Sequence, residues 1–333
     1  MLALVALLVL VGISVWAVIV AITPVPARGP GSGDAPTDSR VMGVGRGVPV
    51  SVASGDLARA GEAFREGDYA RAAALLEPLV AADPKAEDPR LLLAQVYCGL
   101  KRYPDAHQQV EAVLAQAGPS APAALRFDAG TIANQAGAVE RAAEHYAAAQ
   151  AADPREPRYP LYLAMIQIKL GQDGPAMASL VRAVNLAPDL AEGWGTLGEL
   201  ELRSGSLGLA LDHLRKARVL QPGSARWRLG EAKVLKRQGD PEAAAAIIVA
   251  LDPADRQTRD ALAQLGECMG LLGRPRIAAE AYAEAAAARA GSADEAEFHA
   301  KAAEWFERAG DADLAGKHAR RAAELGYGPA QAK

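Results

Sequence analysis

Residues 194–222 read WGTLGELELRSGSLGLALDHLRKARVLQP, and this stretch decides the fold. Trp194, Leu197 and Gly198 fall at helical spacing along one face, Gly205 interrupts the pattern, and Ala210, Leu214 and Ala217 line the matching face of a second helix. Pro222 stops that helix after its last turn. The stretch predicts two antiparallel helices joined by a tight glycine turn, with Gly198 permitting their close approach.

Working outward, an alanine recurs at the position of Ala210 as Ala72, Ala106, Ala142, Ala176, Ala210, Ala244, Ala278 and Ala315, at intervals of 34 residues except one of 36 and one of 37. A glycine stands five residues before seven of these marks, at Gly67, Gly137, Gly171, Gly205, Gly239, Gly273 and Gly310, and Lys101 alone breaks the series. One such hairpin is too small to bury its own apolar face, so copies in register predict a stack in which each repeat relies on its neighbours for a core. Abundant alanine with only 5% aromatic residues suits helices packed closely over small side chains.

The residues carrying this pattern resemble the tetratricopeptide repeat family. The small residue of the first helix appears as Ala60, Ala94, Gly130, Ala164, Gly198, Ala232, Gly266 and Ala303. Its larger partner on the second helix appears as Leu76, Val110, Tyr146, Leu180, Leu214, Ile248, Tyr282 and Ala319, and terminal prolines stand at Pro84, Pro154, Pro188 and Pro222. The resemblance implies an all-α, right-handed superhelical solenoid of antiparallel helix pairs, binding a peptide or protein on the concave face lined by first helices. Arg59, Glu231, Pro253 and Ala319 depart from the family pattern, the last in a degenerate C-terminal cap. A family subtype clamps a terminal carboxylate with Lys, Arg and Asn, but the corresponding positions of repeat four are Leu161, Met165 and Ile168, so a different partner is expected.

The net charge of −4 says little, but its distribution says more. Between His213 and Gly239 stand Arg215, Lys216, Arg218, Arg226, Arg228, Lys233, Lys236 and Arg237 against one acid, Glu231. Nucleic acid is disfavoured, because the flanking repeats are acidic and no aromatic platform accompanies the basic run. Lys169, Arg203 and Arg237 share one first-helix position in repeats four to six, and stacking is expected to align them one helical turn beyond Met165, Glu199 and Lys233. Lys169, Arg203, Arg226, Lys233, Lys236 and Arg237 are therefore the candidate partner-binding residues, suited to an acidic segment. Glu199 is the acid expected to screen Arg203, while Lys233 and Arg237 have no such relief within their own helix.

Catalytic chemistry has no signature here. There is no recognisable Ser-His-acid motif, no H-E-x-x-H helix and no zinc spacing of cysteines, since Cys98 and Cys268 lie five repeats apart. The histidines His107, His145, His213, His299 and His318 are expected to be surface residues, too dispersed to converge on a metal. No catalytic residue, metal ligand or cofactor is assigned, and the chain is expected not to be an enzyme.

Met1 to Ile22 carries no charged side chain, and residues 1–23 are expected to form a transmembrane anchor, a single pass that makes the lipid bilayer a partner. A cleaved signal peptide followed by export is the alternative, although Val25-Pro26-Ala27 is a poor processing site. Residues 24–52, dense in Gly and Pro, are expected to be a flexible tether, in which Gly43, Gly45 and Gly47 lack the strand and helix of a phosphate loop. About eight repeats then fill residues 53–327, and 328–333 form a tail. The expected function is a membrane-tethered protein-interaction scaffold; the alternative is an assembly factor in cell-envelope or cytochrome maturation.

Overall fold

Each mark of the sequence period becomes one helical hairpin. The computed structural model describes residues 55–288, 291 and 294–327, all within one unit spanning Thr37–Lys333. The pairs are α1 (Gly55–Glu66) with α2 (Tyr69–Ala82), α3 (Glu87–Gly99) with α4 (Tyr103–Ala117), α5 (Ala123–Gln135) with α6 (Val139–Ala152), and α7 (Arg158–Lys169) with α8 (Asp173–Leu186). They continue as α9 (Ala191–Ser204) with α10 (Leu207–Leu220), α11 (Ala225–Arg237) with α12 (Pro241–Val249), α13 (Arg259–Leu271) with α14 (Pro275–Ala287), and α15 (Glu295–Arg308) with α16 (Ala312–Glu324). Each helix packs on its successor, and α9 also meets α11 as α11 meets α13, so first helices of adjacent repeats stand side by side. This is an all-α solenoid of antiparallel helix pairs.

The turns inside the pairs share one hydrogen-bond pattern. The residue after the turn donates its backbone N–H to the carbonyl five residues back, as in Asp68 to Ala63 at 2.9 Å, Ser206 to Glu201 at 2.8 Å and Asp311 to Phe306 at 2.9 Å. That bond satisfies a carbonyl left over at the first helix's end and requires a left-handed residue before it. Glycine supplies this conformation everywhere except at Lys101, whose φ of 59° makes it the one non-glycine residue with positive φ among the described residues. Arg102 still donates to Tyr97 at 2.8 Å, so the turn forms in spite of the side chain. A left-handed L-residue costs roughly 1–2 kcal/mol, and Lys101 is exposed. Lys101→Gly is therefore expected to stabilise the protein by about 1 kcal/mol in urea denaturation, less than the full strain because glycine frees the unfolded chain.

The core runs through the middle of each pair. Ala72, Ala106, Ala142, Ala176, Ala210, Ala244 and Ala278 are all 0% exposed, and Leu76, Val110, Tyr146, Leu180, Leu214, Ile248 and Tyr282 are buried beside them. Sizes are matched across the pair: where the second helix carries Tyr146, a Cβ on the facing Gly130 would stand 2.8 Å from the ring, and Gly266 faces Tyr282 in the same way. In the last pair Ala315 and Ala303 are half-buried and Ala319 is exposed, because no further described repeat covers them. The interval of 36 is absorbed by a longer α4 and the 3-10 turn Gly118–Ser120. Pro253 ends α12 early and opens a separate helical turn, Pro253–Arg256, at a position where its missing N–H costs nothing.

The expected transmembrane anchor (1–23), the tether (24–52) and the tail (328–333) lie outside the described residues. Among the described residues no helix is long and apolar enough to cross a membrane. The longest, α4, has 15 residues and carries Asp105 and Glu111; at about 1.5 Å per residue it falls short of a hydrocarbon core of about 30 Å. The reading as a single-pass, membrane-tethered protein with the bilayer as a partner is corrected accordingly: the functional argument rests on the repeat body alone.

Candidate partner-binding face

First helices place the candidate cations, and groups of neighbouring repeats engage them. Lys169 at the end of α7 donates to Asn134 Oδ1 on α5 at 3.1 Å, Arg203 at the end of α9 lies 3.2 Å from Asp173, and Arg237 at the end of α11 donates to the Leu202 carbonyl at 2.6 Å. The shared register thus reappears as a shared behaviour: each reaches back to the preceding repeat. Lys233 meets Asp260 at 3.1 Å, and Lys236 pairs with Glu267, both one repeat forward.

Arg226 is held most firmly. Its guanidinium forks onto Glu199 at 2.6 and 2.9 Å and reaches Glu192 at 2.7 Å. Burial works against its charge, yet the hydrogen bonds and field of Glu199, with Glu192, hold its pKa above the ordinary value. Glu199, expected to screen Arg203 from within the same helix, turns to Arg226 instead, because a bidentate fork across repeats outweighs a single contact along the helix.

The rest of the basic run is equally committed. Arg215 and Arg218 on α10 lie 2.9 and 3.1 Å from the two carboxylate oxygens of Glu231, whose side chain is only 3% exposed. Glu231, a departure from the family's leucine, is thus the counter-ion of two arginines; a lone acid among eight bases was the sequence signal for it. Lys216 stands 3.6 Å from the centroid of the Trp194 ring, a cation–π contact.

In repeats three and four, Phe127 packs its ring centroid 5.0 Å from Tyr162 and 5.3 Å from both Tyr146 and Tyr159. Beside it burial pushes the Asp128 carboxyl up to about 7, against the field of Arg158. The sequence reading did not find this group, because its members come from α5, α6 and α7.

Histidines also converge where dispersal was expected. Glu111 and His145 lie on consecutive second helices, α4 and α6, and stacking brings His145 Nε2 to 2.9 Å from Glu111 Oε1, with His107 Nε2 at 3.2 Å from the same oxygen. Burial disfavours the Glu111 charge, but hydrogen bonds from Arg141 and His145 hold its pKa below the ordinary value, while burial lowers that of His145. His213 Nδ1 lies 2.7 Å from Glu201, and His299 and His318 face each other through Nδ1 at 2.9 Å. These three side chains could hold a metal: His107, Glu111 and His145.

Fold and face together define the class: a helix-pair solenoid of the tetratricopeptide type, a non-enzymatic repeat architecture whose polar side chains tie one repeat to the next. Tetratricopeptide repeat models match residues 63–126 and 196–257. No curated protein matches the sequence. Among solved structures, the chain is similar to a tetratricopeptide repeat protein from Parabacteroides merdae, at 13% identity and TM-score 0.52, over 76% of this chain and 96% of that one. It is similar also to the C-terminal part of a TPR repeat-containing protein from Cytophaga hutchinsonii, at 16% identity and TM-score 0.52, over 81% of this chain and 98% of that one. A chain of the APC/C hetero-tetramer Cut9-Hcn1 matches at 15% identity and TM-score 0.51, over 81% of this chain and 52% of its own. At these identities the likeness is one of fold.

Proposed function

We propose that the chain is a scaffold that binds a protein or peptide segment bearing acidic side chains along the first helices of repeats four to six. The supporting observation is the ladder of Lys169, Arg203, Arg226, Lys233, Lys236 and Arg237, each tied to an adjacent repeat by contacts that are in most cases half-exposed. Such exposed pairs contribute only about 0–1 kcal/mol each. An incoming carboxylate can therefore replace Asp260 or Glu267 at little cost and gain from the aligned field of the rest. The assembly-factor reading asks for the same binding body and needs no bilayer span, so it survives the loss of the tethered reading; affinity purification that recovers a haem-ligation complex would support it.

Partner capture comes first, and a charge-neutralised variant then tests the face. Lys233→Gln, Lys236→Gln and Arg237→Gln combined are expected to weaken partner affinity about tenfold, roughly 1.4 kcal/mol, and to flatten its salt dependence. Circular dichroism should report an unchanged helical fold. Unchanged affinity and unchanged salt dependence would remove this face from the mechanism.

A further inference from the structure

The second helices of repeats two and three bring three metal-binding side chains to one point, on the opposite set of helices from the ladder above. His107 and Glu111 stand one turn apart on α4, and His145 stands on α6 one repeat beyond Glu111. One ligand atom from each of the three lies within 4.8 Å of the other two, and His107 Nε2 and His145 Nε2 stand 3.2 and 2.9 Å from Glu111 Oε1. Bonds of about 2.0–2.1 Å in tetrahedral geometry place ligand atoms roughly 3.3 Å apart, so two edges of such a site are already formed.

A second observation points the same way. His107 Nε2 is buried and makes no hydrogen bond, although a carboxylate oxygen stands 3.2 Å from it. A buried ring nitrogen misaligned with its nearest acceptor is costly. A cation lying between the imidazoles and the carboxylate would satisfy all three groups at once.

We propose that His107, Glu111 and His145 bind a zinc-class divalent cation that staples repeat two to repeat three. Two imidazoles and one carboxylate suit zinc, cobalt or nickel rather than calcium or magnesium, and leave a coordination position to solvent. Arg141 is the resident competitor: its guanidinium lies 2.8 Å from the same Glu111 oxygen. It is half-exposed and also pairs with Glu144 on its own helix, so it has a carboxylate to turn to when the cation enters. The C-terminal pair lacks this convergence, because His299 meets His318 through Nδ1 while Glu295 lies 3.8 Å from its other nitrogen, Nε2.

Chelator-treated full chain titrated calorimetrically with zinc chloride tests the proposal, with cobalt(II) absorption reporting geometry. The wild type is expected to take up zinc at this site with a rise in thermal midpoint, and His299→Gln with His318→Gln to leave both unchanged. His107→Gln with His145→Gln should lose that equivalent at wild-type helicity, and Arg141→Gln should tighten it severalfold. If the double variant loses helical signal, Glu111→Gln carries the test, with affinity expected to fall at least tenfold. Zinc uptake that is unsaturable in the wild type, or undiminished in the His107/His145 and Glu111 variants, overturns the proposal.

Discussion

Trp227→Ala is expected to destabilise the protein by about 3–5 kcal/mol, read as a fall in the urea midpoint at unchanged slope. Trp227 is 1% exposed and packs among Ala210, Leu214, Ala217 and Val234, at the junction of repeats five and six. Its ring fills the notch left by Gly195 on α9: a Cβ there would stand 2.3 Å from the indole. Its Nε1 donates to Gln221 at 3.1 Å, so the one polar atom is also satisfied. Alanine would leave a void in a core that is otherwise thin, and adjacent repeats depend on such interfaces for their stability. Gly195→Ala should cost about 1–3 kcal/mol by overpacking. In a Trp227→Leu background the same change should become neutral or favourable, since alanine is the better helix former. Additive effects in the double-mutant cycle would show that the two residues do not share this notch.

The second large effect is electrostatic. Arg215→Ala with Arg218→Ala strands the buried Glu231 carboxylate and is expected to cost about 3–5 kcal/mol, as removal of the partner of a buried charge does. The opposite deletion should behave differently. Arg215 and Arg218 have side chains 49% and 41% exposed, so losing Glu231 leaves them in water. Glu231→Leu, which restores the family's residue, should therefore be neutral or stabilising, and should rescue the double arginine variant. Denaturation of the four proteins under one buffer decides it; an arginine double variant within 0.5 kcal/mol of wild type, roughly the noise of a surface substitution, would show that Glu231 does not depend on them.

Most of the fold was legible because repetition tests every local inference several times over. The alanine mark, the glycine turn and the alternation of small and large packing residues each follow from helix geometry within about 34 residues, and the structure buries Ala72 through Ala278 as that geometry requires. Even the exception was visible: Lys101 interrupts the glycine series in the sequence, and adopts the same left-handed conformation in the structure. The membrane reading came instead from composition alone, over residues 1–23 outside the described structure, and no described helix supports it.

The candidate site was legible only as a register. By themselves, the repeat positions determined that Lys169, Arg203 and Arg237 recur on successive first helices, since helical period and repeat length are properties of the chain. Which acid meets which base was decided by stacking: Arg226 takes Glu199 27 residues away and Glu192 34 away, and Arg237 takes a carbonyl 35 away. The same stacking buried Glu231 under two arginines and joined His107 and Glu111 to His145, 34 residues beyond Glu111. Sequence by itself determined the helices, the turns and the alanine core, because those depend on neighbours along the chain. Only the tertiary structure decided the pairing of charges and histidines, because the rotation of one repeat on the next sets which side chains meet, and that rotation is a product of side-chain packing across the whole interface.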